Sequence, residues 1–154
     1  LTMETVDLLE VAREGVERQK VNAKRSFISL TYLGESAPVL GSRSLLDELC
    51  QNLCDNAIRY NRPGGKVQII TACTRDGHCS LTVKDNGIGI PKEAQSSVFE
   101  RFYRVDKSRS KATGGTGLGL AIVKHIARIH NARIKLESEI GEGTTITVLF
   151  ETAH

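Results

Sequence analysis

The chain predicts an α+β sandwich: three helices packed on one face of a sheet. Three observations carry that prediction. Apolar residues recur at helical spacing in three separated stretches, two further stretches alternate at period two across short turns, and an earlier run alternates alone. With 154 residues and 40% hydrophobic composition, the chain is long enough for one domain with its own core and too short for two. A net charge of +3 and a 25% charged fraction give no global reason to expect nucleic acid as a partner.

In chain order, the first helix is expected over residues 5–20, where Val6, Leu8, Leu9, Val11, Ala12 and Val16 fall among Glu, Arg and Gln, and Asp7 near the start suits the helix dipole. Phe27 to Tyr32 alternates as a strand. Gly34 to Pro38 makes a turn before the short apolar pair Val39-Leu40. Ser42 or Ser44 then caps a second helix. Its apolar face is Leu45, Leu46, Leu49, Leu53, Ala57 and Ile58, while Glu48, Asn52 and Asn56 line another stripe. Asparagine is a poor interior helix residue, so two on one stripe need a reason. Either they satisfy nearby backbone groups, or they present amide oxygens to a hard cation or to water around phosphates.

Asn61-Arg62-Pro63-Gly64-Gly65 stops this helix. Lys66 to Thr74 and His78 to Asp85 form a hairpin across Arg75-Asp76-Gly77. Cys79, Leu81, Val83 and Asp85 share one side of its second strand, so Asp85 ends on the apolar side. A carboxylate there requires a hydrogen-bond donor, either the backbone of the following turn or a ligand. Asn86-Gly87-Ile88-Gly89-Ile90-Pro91 follows, with glycines that permit tight backbone geometry. Val98 to Tyr103 has helical character and holds much of a small aromatic content, 5%. Packing is the expected work of Phe99 and Phe102. Arg101, Arg104, Lys107, Arg109 and Lys111 make a basic run that reads equally as a solvated loop or as a surface for polyphosphate.

Gly114-Gly115-Thr116-Gly117-Leu118-Gly119-Leu120 opens the third helix. A glycine turn at a helix N-terminus offers backbone N–H groups and partial positive charge to an anion, but its spacing matches neither the dinucleotide fingerprint nor the P-loop. The helix carries Leu118, Ile122, Val123, Ile126 and Ile129 and closes near His130-Asn131. A final hairpin turns at Gly141-Glu142-Gly143. Cys50, Cys54, Cys73 and Cys79 contain no Cys-x-x-Cys pair and read as small buried hydrophobes rather than as zinc ligands or disulfides. No signal peptide and no apolar run near ~18 residues is present, so a cytoplasmic domain is expected. Leu1 is not an initiator methionine, so the chain reads as a segment of something longer, with any membrane anchor elsewhere.

Four motifs stand in a fixed order: Asn52-x-x-x-Asn56-Ala57-x-Arg59-Tyr60, Asp85-x-Gly87-x-Gly89, Phe99-x-x-Phe102-Tyr103-Arg104 and Gly115-x-Gly117-x-Gly119. Gly143-Thr144-Thr145 makes a fifth. Together they closely resemble the N, G1, F, G2 and G3 boxes of the catalytic, ATP-binding domain of bacterial sensor histidine kinases, in the GHKL ATPase superfamily. The likeness runs from Val6 to Phe150.

It implies a Bergerat-type two-layer sandwich over residues 1–154: a mixed, mostly antiparallel sheet, three long helices on one face, and a mobile ATP lid near 104–116. The cofactors it implies are ATP and Mg²⁺. On the matching positions, Asn56 resembles the Mg²⁺ ligand, Asn52 its companion around the phosphates, Arg59 a phosphate contact and Tyr60 a neighbour of the nucleotide. Asp85 resembles the adenine-reading carboxylate, with Gly87, Gly89 and Ile90 beside the base. Arg104 resembles the arginine that approaches the γ-phosphate. Gly115, Thr116, Gly117, Leu118 and Gly119 form the phosphate wall, and Thr144 closes the set.

Hydrolytic members of the superfamily, such as DNA gyrase, carry a glutamate base where Asn52 stands here. An amide cannot deprotonate water, so the resemblance implies transfer of the γ-phosphoryl group rather than hydrolysis, with Asn52 and Arg104 closest to the chemistry. The acceptor it implies is a histidine in a separate dimerisation domain, with a response-regulator receiver domain as the next partner and no nucleic acid. His78, His125, His130 and His154 lack the context of that acceptor. Two alternatives keep the fold: a nucleotide-binding module without transfer activity, and a serine kinase of the anti-sigma-factor type. The resemblance implies a cytoplasmic location for this domain, within a full-length protein that is free in the cytoplasm or tethered to the bacterial inner membrane.

Overall fold

The structure, a computed structural model, describes residues 2–100 and 119–151. The elements run β1 (Glu4–Asp7), α1 (Leu8–Arg25), β2 (Ser29–Gly34), β3 (Pro38–Gly41), α2 (Arg43–Arg59), β4 (Lys66–Cys73), β5 (His78–Asp85), a 3₁₀ turn (Lys92–Ala94), α3 (Gly119–Ile129), β6 (Arg133–Glu139) and β7 (Gly143–Glu151). Five strands form one sheet in the order β2-β4-β5-β7-β6, with β2 parallel to β4 and the other pairs antiparallel. The expected α+β sandwich with a mixed, mostly antiparallel sheet is therefore what the chain forms.

Strand alternation decides which face the helices cover. Val67, Ile69 and Thr71 on β4, Cys79, Leu81 and Val83 on β5, and Ile146, Val148 and Phe150 on β7 are all buried. They meet Leu8, Val11 and Ala12 of α1, Leu46, Leu49, Leu53 and Ala57 of α2, and Val123, Ile126 and Ala127 of α3 in one apolar cluster. Thr82 and Thr147 point the other way and bond to each other across the open face at 3.1 Å. The two faces thus differ as a half-buried antiparallel sheet requires.

Expectation and structure part at the N-terminus. Residues 5–7 belong to β1, which pairs with β3 in a small separate sheet, and α1 runs from Leu8 to Arg25 rather than over residues 5–20. The switch point is Asp7. Its Oδ1 accepts the backbone N–H groups of Leu9 (2.9 Å) and Ala37 (2.8 Å), and its Oδ2 accepts the Ser36 hydroxyl (2.7 Å). One carboxylate thus caps α1 and holds the segment leading into β3 across its end. Partial burial opposes ionisation, yet the three hydrogen bonds hold the Asp7 carboxyl below its ordinary range.

Ser42 is the N-cap of α2, one of the two candidates. Its hydroxyl makes no cap bond; its N–H donates to His130 Nε2 at 3.1 Å, while His130 Nδ1–H donates to Ile126 O at 2.8 Å. His130, buried at the end of α3 and edge-on to Phe150, ties the start of α2 to the end of α3. Asn131 follows in the left-handed conformation expected of a cap (φ 54°).

The cysteines divide. Cys50 and Cys54 are buried free thiols, as expected. Cys73 and Cys79 instead form a disulfide, because they are direct cross-strand partners on β4 and β5 with Cα atoms 4.0 Å apart. The hydrophobic reading fails there: spacing alone did not show that the hairpin register sets these two side by side.

Replacing Asp7 by Ala should lower the stability of the domain by about 1–2 kcal/mol at neutral pH, as loss of an N-cap does. The difference should narrow as the pH falls through the carboxylate range, since a depressed pKa contributes stability only above it. Urea midpoints of the two proteins at pH 7 and pH 3.5 check both halves.

Candidate functional site

The C-terminal end of β5 carries Asp85 into a pocket of backbone. Its Oδ1 accepts Gly87 N–H at 2.8 Å and Thr144 N–H at 3.2 Å. Its Oδ2 has no hydrogen bond among the described residues. Of the two answers offered by the sequence, the backbone cap is made, and by Oδ1 alone. Burial pushes the carboxyl up to about 6, against the two N–H bonds that pull it down.

Around Asp85 the backbone is so close that side chains are excluded. A Cβ at Gly87 would lie 2.5 Å from Tyr60 O, and one at Gly143 (φ 126°) 2.0 Å from Asp85 O. At Gly89 (φ 76°) it would lie 2.1 Å from Glu139 O. These glycines are required by contacts within the protein, between the Asp85–Pro91 segment, the end of α2 and the β6–β7 turn. Ile90, buried, donates its N–H to Ser138 Oγ at 2.8 Å. Thr144, also buried, shares a hydrogen bond of 2.7 Å with the same hydroxyl.

On α2, Asn52 donates Nδ2–H to Glu48 O at 2.9 Å, leaving its Oδ1 as acceptor. That oxygen lies 3.6 Å from where a Cβ on Gly119, the first residue of α3, would sit. The asparagine stripe and the N-terminus of α3 are thus adjacent. Asn56, half-buried one turn on, has no side-chain hydrogen bond among the described residues. Arg59 is held by Asp55 at 3.0 Å. Tyr60 ends the helix, and its carbonyl accepts Ile88 N–H at 3.1 Å, joining α2 to the glycine segment. Arg101, Phe102, Tyr103, Arg104, Lys107, Arg109, Lys111, and Gly114 to Leu118, with the lid expected near 104–116, lie outside the described residues. Phe99 packs against the core as expected.

Sequence reasoning missed three positioning residues. Arg62 donates through Nη2 to Gly141 O (3.1 Å), Asn86 O (3.4 Å) and Gly87 O (3.5 Å). Asn86 accepts Lys66 N–H at 2.7 Å through Oδ1, fixing the turn that follows Asp85. Ser138 joins Ile90, Gly143 and Thr144. Arg62 and Asn86 stood inside segments read only as a helix stop and a turn, and Ser138 sat in a strand with no motif.

Comparison with known proteins bears on this arrangement. Residues 41–154 match the model of the histidine kinase-, DNA gyrase B-, and HSP90-like ATPases. The chain belongs to that family. Over 150 residues it is 49% identical to the sensor-like histidine kinase SenX3 of Mycolicibacterium smegmatis, covering 95% of this chain and 38% of that protein. It is 39% identical to the sensor histidine kinase YkoH of Bacillus subtilis over 148 residues, 96% of this chain and 32% of that one. The chain therefore spans about a third of the length of these relatives. Among solved structures, the mycobacterial sensor histidine kinase MprB superposes with a TM-score of 0.83 at 32% identity, covering 97% of both chains. The catalytic domain of the histidine kinase ThkA matches the fold with a TM-score of 0.84. The resemblance read from the five boxes is thus borne out, and membership of an ATPase family makes this an ATP-binding domain. Among the described residues no helix is long and apolar enough to cross a membrane, and no cluster of three His, Cys, Asp or Glu side chains could hold a metal.

Because burial raises the Asp85 pKa from 3.8 to about 6, the folded state resists its ionisation. The fold is therefore weakened above pH 6, by roughly 2–3 kcal/mol, and the penalty disappears as the pH falls below the unfolded value. Asp85→Asn keeps an oxygen for Gly87 and Thr144 and removes the charge. It should raise the thermal midpoint at pH 7.5 and leave it unchanged near pH 3.5. A midpoint that falls at both values would contradict the burial account.

Proposed function

We propose that this chain is the catalytic domain of a sensor histidine kinase, which binds Mg-ATP and passes the γ-phosphoryl group to a histidine on a separate dimerisation domain. The observation that carries the reading is Oδ2 of half-buried Asp85, an acceptor without a donor among the described residues while Oδ1 accepts two backbone N–H groups. Ionised, it pairs with the exocyclic amine of adenine and repels the oxygen that guanine carries at the same place. Oδ1 is already committed to the backbone, so the carboxylate cannot turn away to suit another base.

The donor set fits the cation as well. Asn56 offers an amide oxygen without a protein partner among the described residues, and Asn52 keeps its Oδ1 beside the start of α3. Neutral oxygen donors used together with phosphate oxygens suit Mg²⁺, which binds through few protein ligands. Bound there, the cation would neutralise charge on the phosphates. Asn56 would hold it and Asn52 would orient the phosphate side of the site. The N-terminus of α3, at Gly119, would place backbone N–H groups and partial positive charge toward the phosphates. Arg59 would exchange its pairing with Asp55 for phosphate, while Tyr60, Gly87, Gly89, Ile90 and Thr144 frame the nucleotide. Arg104, Gly115, Thr116, Gly117 and Leu118 complete the assignment as members of the motifs they occupy.

With an amide at Asn52, no side chain at that position can take a proton from water. The γ-phosphoryl group is thereby kept for a better nucleophile, the imidazole nitrogen of the acceptor histidine. None of the four histidines of this chain is proposed as that acceptor: His130 has both ring nitrogens bonded to backbone. A response-regulator receiver domain would take the group next, within the cell.

Incubated with γ-labelled ATP, the chain alone should remain unlabelled, while the isolated dimerisation domain of the 49% identical relative should acquire acid-labile phosphate in its presence. The relative's own catalytic domain serves as positive control. Acid-stable label would point to a hydroxyl acceptor and overturn the histidine assignment. ATP affinity should also depend on pH. Protonated Asp85 presents a donor to the adenine amine, so affinity should fall up to tenfold per pH unit below about 6. Asp85→Asn should cost about 1.5–3 kcal/mol of binding at pH 7.5 and lose that dependence; calorimetry at three pH values reads both.

A further inference from the structure

Far along β5 from Asp85, the disulfide between Cys73 and Cys79 serves no part of the nucleotide site. It forms the last rung of the β4–β5 ladder before the turn. The turn does not depend on it: Thr74 N–H donates to His78 O at 2.7 Å, and Gly77 N–H donates to Thr74 O at 3.3 Å. The ladder would keep the two sulfurs opposed whether or not they were bonded.

The two sulfurs differ in access. Cys79 is fully buried in the apolar cluster. Cys73 is half-buried and lies beyond Gly34, where the neighbouring β2 ends at its pairing with Thr71. Past that point no strand among the described residues pairs with the outer side of β4. In its place runs the segment after β2, where Glu35 Oε1 accepts Cys73 N–H at 2.8 Å and Ser36 O lies 3.8 Å from Cys73 Sγ. That carbonyl is an acceptor for the thiol of a reduced Cys73, so both states are accommodated.

We propose that Cys73 and Cys79 form a thiol–disulfide exchange site whose co-reactant is a low-molecular-weight disulfide of the glutathione type, with Cys73 the sulfur that meets it. In the oxidising direction the Cys73 thiolate attacks one sulfur of the small disulfide. That S–S bond breaks, one small thiolate leaves, and a mixed disulfide forms on Cys73. The Cys79 thiolate then attacks the Cys73 sulfur and expels the second small thiolate. Two protein thiols lose two electrons, the small disulfide gains them, and the two protons leave with the two released thiols. That the bond is exchangeable, and not a permanent staple, rests on the proposed ATP chemistry, which belongs where thiols are kept reduced.

The pair lies against a segment that reaches beyond the hairpin. Ser36, whose carbonyl faces Cys73, also donates its hydroxyl to Asp7, and Ala37 donates its N–H to the same carboxylate. Reduction would keep this strap, because Ser36 O then accepts the Cys73 thiol and Glu35 still accepts the Cys73 N–H, while the stabilisation given by the cross-link itself is lost.

The test is a redox titration of the 154-residue chain in mixtures of reduced and oxidised glutathione, without nucleotide, acid-quenched, alkylated and read by mass spectrometry. Cys73 and Cys79 should exchange together as one two-electron couple, while Cys50 and Cys54 alkylate only after denaturation. In Cys79→Ala, glutathione should be trapped on Cys73; in Cys73→Ala, Cys79 should remain unmodified in the folded protein. The thermal midpoint of the chain should fall by about 5–10 °C on reduction. A pair that stays bonded throughout millimolar reduced glutathione, or that never bonds in the oxidised buffers, overturns the proposal. Equal trapping on Cys79 overturns the order of attack. An unchanged midpoint overturns the stabilisation assigned to the cross-link. Because no nucleotide is present, any of these failures leaves the ATP assignment to its own experiments.

Discussion

A carboxylate at the buried end of a central strand constrains everything packed against it. Asp85 lies on the core side of β5, in line with Val83 and Leu81, and its charge is tolerated only because two backbone N–H groups converge on one oxygen. Those two groups come from segments far apart in sequence, Gly87 just beyond β5 and Thr144 at the start of β7. To bring both within reach, the backbones must nearly touch, which is why Gly87 and Gly143 have no room for a side chain. The glycine motifs are in this sense consequences of the aspartate. Arg62, laid across the carbonyls of Asn86, Gly87 and Gly141, then holds the two segments in place from outside.

The second half of the site depends on how two helices meet. Asn52 lies midway along α2, Asn56 lies in its last turn, and Gly119 is the start of α3, so the relation between these helices sets the distance between amide oxygens and helix N-terminus. Their other junction is the His130 imidazole, which accepts from Ser42 at the start of α2 while donating to Ile126 within α3. Both ring nitrogens are used and the tautomer is thereby fixed. Gly41 belongs to the same junction, since a Cβ there would sit 2.8 Å from the His130 ring. The helices are pinned at one end by a polar tie and along their length by Leu46, Leu49, Val123 and Ile126.

Much of this was legible in the sequence, for identifiable reasons. Period-two and period-3.6 patterns are local, so α2, the β4–β5 hairpin, the β6–β7 hairpin and the left-handed Asn131 could be read directly. Asp85 could be placed on the apolar side by counting alternate residues along β5. What could not be read depends on pairing across distance. Residues 5–7 look helical because their apolar spacing continues that of α1, and only the β3 partner makes them a strand. Cys73 and Cys79 look like isolated hydrophobes until the hairpin register sets them opposite. Arg62 and Ser138 act through carbonyls and hydroxyls of segments remote in sequence, and no residue pattern announces such contacts. The family was legible for a different reason: the order of its motifs in the chain carries information that single spacings lack.

The stability of the domain and the chemistry proposed for it pull in opposite directions, and Asp85 is where they meet. Protonated, the carboxyl suits its buried position, but its open oxygen would then offer a hydrogen to an amine that also donates. Ionised, it suits adenine and weakens the fold, because burial disfavours the charge by an amount the two N–H bonds do not offset. A ligand amine is a third hydrogen bond to the charged form, the one the protein withholds. Binding would therefore relieve a penalty present in the empty domain, and part of the affinity for adenine would be repayment of strain in the site. The same logic extends to Asn56, whose amide oxygen has no partner among the described residues. A site assembled from groups left unsatisfied by the fold is selective in proportion to what it leaves open, which in the proposed function is one acceptor for the base and one for the cation.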